Sequence, residues 1–301
     1  MRISTAFVLA VVVTSGIDQA RSADRSTCPT PQGERIQVAR GDAGSPVVSG
    51  SVNGRGPLFF ILDTGASGTT LRPKTVAEFN LPRDAANDQG QGIGDAVEVA
   101  LHRVRTIDIG PLNLRDIVVP AVPAPVFDSH DIVGLAGVDL FVDRMAIWNL
   151  SKMEVIVRGS IDLTAERCWH RTPSTWLRPW KVMIPISITG HAGQAMIDTG
   201  LQHTTMNRAF AALARPTEQV PAGEMSGVDG SLIPVMRGNV RSIVLGPLAW
   251  SSRTVQIADL PLFQRLGDPA APTLVLGIDW LEGQTFAIDY KTQTAWFASA
   301  R

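Results

Sequence analysis

The sequence predicts an all-β protein of two lobes related by a pseudo-two-fold axis, with few and short helices. Three observations carry that prediction. Short β-branched or alternating runs recur, separated by Gly, Pro, Asn and Asp. Helical patterns are rare and brief. An internal repeat spans most of the chain.

Taken in order, the chain begins with Arg2, the apolar run "AFVLAVVV" at 6–13 and small residues in "QARSAD" at 19–24. This is the layout of a secretory signal peptide, read over 1–23, which places the mature chain in the periplasm or outside the cell. A first lobe is read over 35–160. It holds strand-like runs at 46–52, 58–62, 96–104, 116–122 and 153–157, and one helix over 73–81, where Pro73 suits the first turn. Residues 161–181 read as a packed connector between lobes, because their Trp content is too high for a flexible linker. A second lobe follows over 182–301, with a helix over 207–214.

Composition excludes several classes. The net charge is −1 and no basic tract occurs, which argues against nucleic acid as a partner. No apolar stretch is long enough to span a bilayer. Two cysteines and five histidines leave no Cys-rich zinc site, and His102, His130, His170 and His191 show no ligand-like spacing; neither metal nor cofactor is expected. In an exported protein the pair Cys28 and Cys168 favours a disulfide, with two free buried thiols as the alternative.

The repeat is anchored by "LDTGASGTTL" at 62–71 and "IDTGLQHTTM" at 197–206. In the same order, "GQGIGD" at 90–95 matches "SGVDGS" at 226–231, "IDIGPL" at 107–112 matches "IVLGPL" at 243–248, and "LAGVDLF" at 135–141 matches "VLGIDWL" at 275–281. "MAIWNLSKMEVIV" from 145 matches "FAIDYKTQTAWF" from 286. Each Asp-Thr-Gly ends an apolar strand, so its Asp is presented at a buried strand end. The Gly permits a tight turn, and the Thr hydroxyl can bond a neighbouring loop. Two such loops about a two-fold axis make a pair of carboxyl groups that share a proton. One member activates water as general base while the other donates to a carbonyl oxygen as general acid.

These motifs resemble the pepsin/retropepsin-type aspartic proteases, nearest to a bacterial retropepsin-like domain duplicated and fused. The likeness covers nearly all of the mature chain. It implies acid-protease barrels, Asp63 and Asp198 as the catalytic pair, and Thr64 and Thr199 as the residues that lock the two loops together. Gly65 and Gly200 would supply backbone contacts. The turns at Gly92, Ile93 and Gly94 and at Gly227 and Val228 would be flaps closing over an extended polypeptide, with Ala66 and Leu201 at subsites. Gly137 and Gly277 match the element that supports each catalytic loop. A monomer is expected, since both lobes lie in one chain.

The copies differ at one informative place. The family has a small residue after the triplet, as at Ala66, whereas the second copy carries Leu201, followed by His203. Leu201 either narrows a subsite or crowds the site. The flaps also lack an aromatic, the one Tyr being Tyr290. Asp139 and Asp279, at matching positions, read as structural turn residues, and "DSHD" at 128–131 as a polar loop. The leading expectation is an exported aspartic endopeptidase. The alternative is a catalytically impaired peptide-binding protein of the same fold, and a cell-envelope structural protein is the remaining class.

Overall fold

The computed structural model describes residues 28–41, 44–91, 94, 96–122, 131–177, 180–226 and 231–299. The leader read over 1–23, the tip residues Gly92, Ile93, Gly227 and Val228, and the 128–130 part of the polar loop lie outside them. Among the described residues the chain forms three β-sheets.

One seven-stranded sheet is drawn entirely from the first half. Its path runs Arg83–Gln91, Ala96–Ile109, Pro46–Val52, Arg55–Leu62, Ile132–Ala136, with Ala39–Arg40 and Leu112–Pro120 paired to its side. An eight-stranded sheet from the second half repeats the plan. Its Lys181–Ile188 and His191–Ile197 hairpin corresponds to Pro46–Val52 and Arg55–Leu62, and its long hairpin Thr217–Ser226/Leu232–Leu245 corresponds to Arg83–Gln91/Ala96–Ile109. In each half the strand leading into Asp-Thr-Gly lies parallel to a later, deeply buried strand. Leu62 pairs with Ala136, and Ile197 pairs with Leu276. That pairing fixes where each triplet emerges.

The repeat also appears in backbone conformation. Left-handed φ recurs at Asn53-Gly54 and Thr189-Gly190, at Asn80 and Arg215, at Gly110 and Gly246, and at Met153 and Gln293. Asn53-Gly54 and Thr189-Gly190 close matching hairpins, where positive φ at both turn residues suits the right-handed twist of the strands. Helices occupy Pro73–Glu78 and Arg208–Ala214. The first is shorter than the sequence pattern, because Phe79 caps it and Asn80 leaves the helical region. Asn207 caps the second by accepting from the Phe210 amide at 2.9 Å. Three further short helical turns, Val138–Phe141, Pro261–Leu266 and Ile278–Leu281, were too brief for sequence periodicity to show.

The third sheet joins the halves. It runs Glu34–Gln37, Glu154–Arg158, Met145–Asn149, Thr285–Asp289, Thr294–Ala298, Trp169–Thr172. At its centre Ile147 pairs with Ala287, and Ala146 with Ile288. The pairing is reciprocal, Ile147 facing the match of Ala146 and Ala146 facing the match of Ile147, as a two-fold axis through the sheet requires. Trp148 stacks on Phe286 at 5.8 Å and Phe286 on Phe297 at 5.7 Å. Such pairs add about 0.5–1.5 kcal/mol each beyond area burial. The stretch 161–181 is more than a tether. Trp169–Thr172 joins the shared sheet, and Thr175–Leu177 pairs with Lys181–Ile188. Cys28 is disulfide-bonded to Cys168, tying this stretch to the start of the described chain.

Candidate active site

The two Asp-Thr-Gly loops meet face to face. Oδ1 of Asp63 accepts from the amides of Gly65 at 2.7 Å and Ala66 at 3.1 Å. Oδ1 of Asp198 accepts from Gly200 and Leu201, each at 3.0 Å. Both carboxylates are thereby aimed by their own loop. Across the axis the two carboxyl groups face each other closely enough for Asp63 to raise the Asp198 pKa. Glycine is required in both turns because each passes directly over the opposite aspartate. A Cβ built on Gly65 would lie 2.6 Å from Oδ1 of Asp198, and one on Gly200 would lie 2.6 Å from Oδ1 of Asp63.

The threonines interlock. Thr64 N–H donates to Thr199 Oγ1 and Thr199 N–H to Thr64 Oγ1, both at 3.0 Å, across 135 residues of sequence. Each hydroxyl then donates to the strand end of the opposite half, Thr64 to Ile197 O at 3.1 Å and Thr199 to Leu62 O at 2.8 Å. Both threonines are buried. Four backbone groups that strand ends would otherwise leave unpaired in the interior are thus satisfied by two hydroxyls.

A second layer supports each loop. Asp139 accepts from Thr69 N at 2.9 Å and Thr69 Oγ1 at 2.8 Å, while Asp279 accepts from Thr204 N at 2.8 Å and Thr204 Oγ1 at 2.7 Å. The same threonine hydroxyls accept from Gly137 N and Gly277 N. Gly137 is pressed against the Gly68 backbone, and Gly277 against Leu201, His203 and Thr204. This is where the matching acids and glycines of the repeat sit. Burial pushes the Asp139 carboxyl up, against the opposing effect of its Thr69 hydrogen bonds.

Burial also raises the Asp198 carboxyl, to about 8, and the charge of Asp63 acts in the same direction. Asp198 therefore holds its proton to higher pH than an ordinary carboxyl group. Lys181, unmarked by any motif, opposes this. Its Nζ donates to the Gly65 carbonyl oxygen, and its charge lowers Asp198. Below the site Tyr290 is buried, stacked on Phe141 at 5.9 Å with Trp176 edge-on at 5.8 Å. Among the described residues its hydroxyl has no hydrogen-bond partner, and burial drives its pKa far up, so it stays neutral.

Leu201 holds the same backbone role as Ala66. Its carbonyl accepts from Ile278 N at 2.8 Å, as Ala66 O does from Val138 N at 3.0 Å. Its side chain packs against the apolar cluster that includes Met183, Met196, Leu260 and Phe263. His203 is exposed, 3.7 Å from Asp279. The long hairpins close their pairing at Gln91–Ala96 and Ser226–Leu232, at the Gly-rich turns. Of the first tip, Gly94 is buried and its carbonyl accepts from Arg265 Nη1 at 3.2 Å. Among the described residues, no group of three or more His, Cys, Asp or Glu is placed to hold a metal ion.

Residues 48–140 and 184–280 each match the aspartyl protease family. The fold is similar to that of basic 7S globulin from soybean, with a TM-score of 0.51 at 12% identity, covering 89% of this chain and 95% of that one. No curated protein matches the chain by sequence.

Proposed function

The chain belongs to the aspartyl protease family, and from that premise we propose that it is an exported endopeptidase in which Asp63 and Asp198 hydrolyse peptide bonds without a covalent intermediate. The observation that carries this reading is the reciprocal geometry of the two loops: paired carboxyl groups, each aimed by two amides, locked by Thr64 and Thr199. The raised Asp198 favours the form with one proton on the pair. The ionised member takes a proton from water as it attacks the scissile carbonyl. The protonated member donates to the carbonyl oxygen. An extended polypeptide would lie between the dyad and the two long hairpins as an added strand, with Gly94 and Leu201 around it. We read the protein as a monomer, since both halves of the pair lie in one chain.

Export is supported by the Cys28–Cys168 disulfide, a bond that persists in oxidising compartments, and by the leader-like start of the sequence. No helix among the described residues is long and apolar enough to cross a membrane. Cleavage of unfolded casein, scanned between about pH 3 and 8, tests the reading. Pepstatin-sensitive cleavage that falls by at least about 100-fold in both Asp63→Asn and Asp198→Asn is the expected result. Cleavage that survives both substitutions refutes it.

A second reading, a peptide-binding protein with impaired catalysis, is favoured by Leu201 alone. The packing of its side chain against the Met183–Phe263 cluster supports a subsite wall instead. Wild-type protein that is inert while Leu201→Ala cleaves would decide for the second reading.

A further inference from the structure

The two halves supply matching aspartates, threonines and glycines, but among the described residues the Lys181 ammonium has no match at the equivalent position of the first half, Pro46. Lys181 heads the strand Lys181–Ile188, whose counterpart in the first half, Pro46–Val52, begins with proline. Its neighbour across the hairpin is Leu177. The partly buried side chain donates from Nζ to the carbonyl of Gly65, the residue whose amide holds Oδ1 of Asp63. The carbonyl of a turn over the dyad is therefore already occupied by this chain's own ammonium.

Among the described residues, charged and titratable groups face this ammonium from several elements. Burial pulls the Lys181 pKa below its ordinary value, Asp198 and Asp63 face it from the two loops and favour its charged form, and Arg265 on the helix Pro261–Leu266 opposes them. Tyr290 approaches Asp63 from the shared sheet. Asp139 and Asp279 stand behind the loops through Thr69 and Thr204, with His203 outside Asp279. A dyad with one proton carries a single negative charge, and Lys181 is placed to neutralise it.

We propose that Lys181 is a positioning residue of the dyad, whose ammonium fixes the Gly65 turn and sets the pH window in which Asp63 and Asp198 share one proton. This rests on the reading of those aspartates as the catalytic pair. A cation beside two carboxyl groups favours their ionised forms. It moves the loss of the first proton to lower pH, so the singly protonated state is reached in more acidic solution. It moves the loss of the second in the same direction.

The test compares kcat/KM against pH for the wild type, Lys181→Gln, Lys181→Met and Lys181→Arg, with Asp63→Asn alongside. Gln retains an N–H donor for Gly65 without the charge, and it serves if Met fails to fold. Both limbs of the profile should move upward by about one to three pH units in Gln and Met, while Arg should keep them near the wild-type positions even if its rate falls. The same displacement is read without substrate, from the pH dependence of thermal stability. If Gln and Met lower the rate equally at every pH and leave both limbs in place, Lys181 is structural and the proposal is wrong. If Asp63→Asn cleaves normally, the dyad reading itself fails. If Asp63→Asn is inactive and the limbs stay put, only the role of Lys181 falls.

Discussion

Replacing Thr199 by valine tests the interlock between the halves with little change of shape. Thr199 is fully buried. Its hydroxyl donates to Leu62 O at 2.8 Å and accepts from Thr64 N at 3.0 Å. Valine strips both partners at once and leaves two interior backbone groups short of a hydrogen bond, each worth about 1–3 kcal/mol. The added methyl returns roughly 0.8 kcal/mol of burial. The net loss is about 3 kcal/mol. Unfolding entropy of about 2.1 cal/mol/K per residue comes to roughly 0.6 kcal/mol/K for a chain of this size, so Tm should fall by about 5 °C. Activity should fall further, by at least about 100-fold, because loop misplacement of an ångström is enough to separate reacting groups. Scanning calorimetry and casein cleavage on the same preparation measure both. Thr199→Ser keeps the hydroxyl and should lose only about 1 kcal/mol. A valine variant that melts within about 1 °C of wild type and cleaves at the wild-type rate would refute the idea that these hydroxyls hold the halves in register.

Other substitutions probe the remaining parts. Gly200→Ala forces a Cβ to 2.6 Å from Oδ1 of Asp63. It should abolish cleavage, while Gly190→Ala, a turn glycine with open space around it but positive φ, should cost only about 1 kcal/mol and spare activity. Cys28→Ser opens a link across 140 residues and should lower unfolding free energy by about 2–5 kcal/mol in urea titrations under oxidising conditions, with no such difference once the wild type is reduced. Stability should also depend on pH in a stated direction. The folded Asp198 carboxyl is raised from its ordinary 3.8 to about 8. The folded chain thus binds more protons than the unfolded one across that window. Its stabilising contribution is complete below the window and is lost as pH rises through it, by at most about 1.4 kcal/mol per pH unit. Asp198→Asn should flatten that slope, and a slope left unchanged would show that the shared proton is not held there.

Much of this architecture was legible because duplication writes the same physical demands twice. Asp63 and Asp198, the Gly-rich turns and the Gly137 and Gly277 supports stand out only when the copies are aligned. Each half alone would have read as an ordinary turn carboxylate. Asp139 and Asp279 were legible as structural by the same comparison, and their bonds to Thr69 and Thr204 give the reason. Tyr290 was visible as a lone tyrosine, but nothing near it in sequence tells that it sits beneath the dyad, stacked on Phe141. The short helices at 138–141, 261–266 and 278–281 escaped because one turn has too little periodicity to register.

What the sequence determined by itself is whatever local chemistry and repetition impose. Strand runs, turn glycines and two aspartates in equivalent loops follow from side-chain pattern and backbone freedom. What only the tertiary structure decided is whatever the copies do not share. Lys181 is an unremarkable residue at a strand head, opposite a proline in the first copy. It becomes part of the candidate site because the two halves fold against each other and bring its ammonium to the Gly65 carbonyl. Leu201 likewise reads as a departure in a motif, and only packing sends its side chain into the Met183–Phe263 cluster while its backbone repeats the work of Ala66. Electrostatic influence depends on distance in space, and in a duplicated chain the closest approaches at the axis are between residues far apart in sequence.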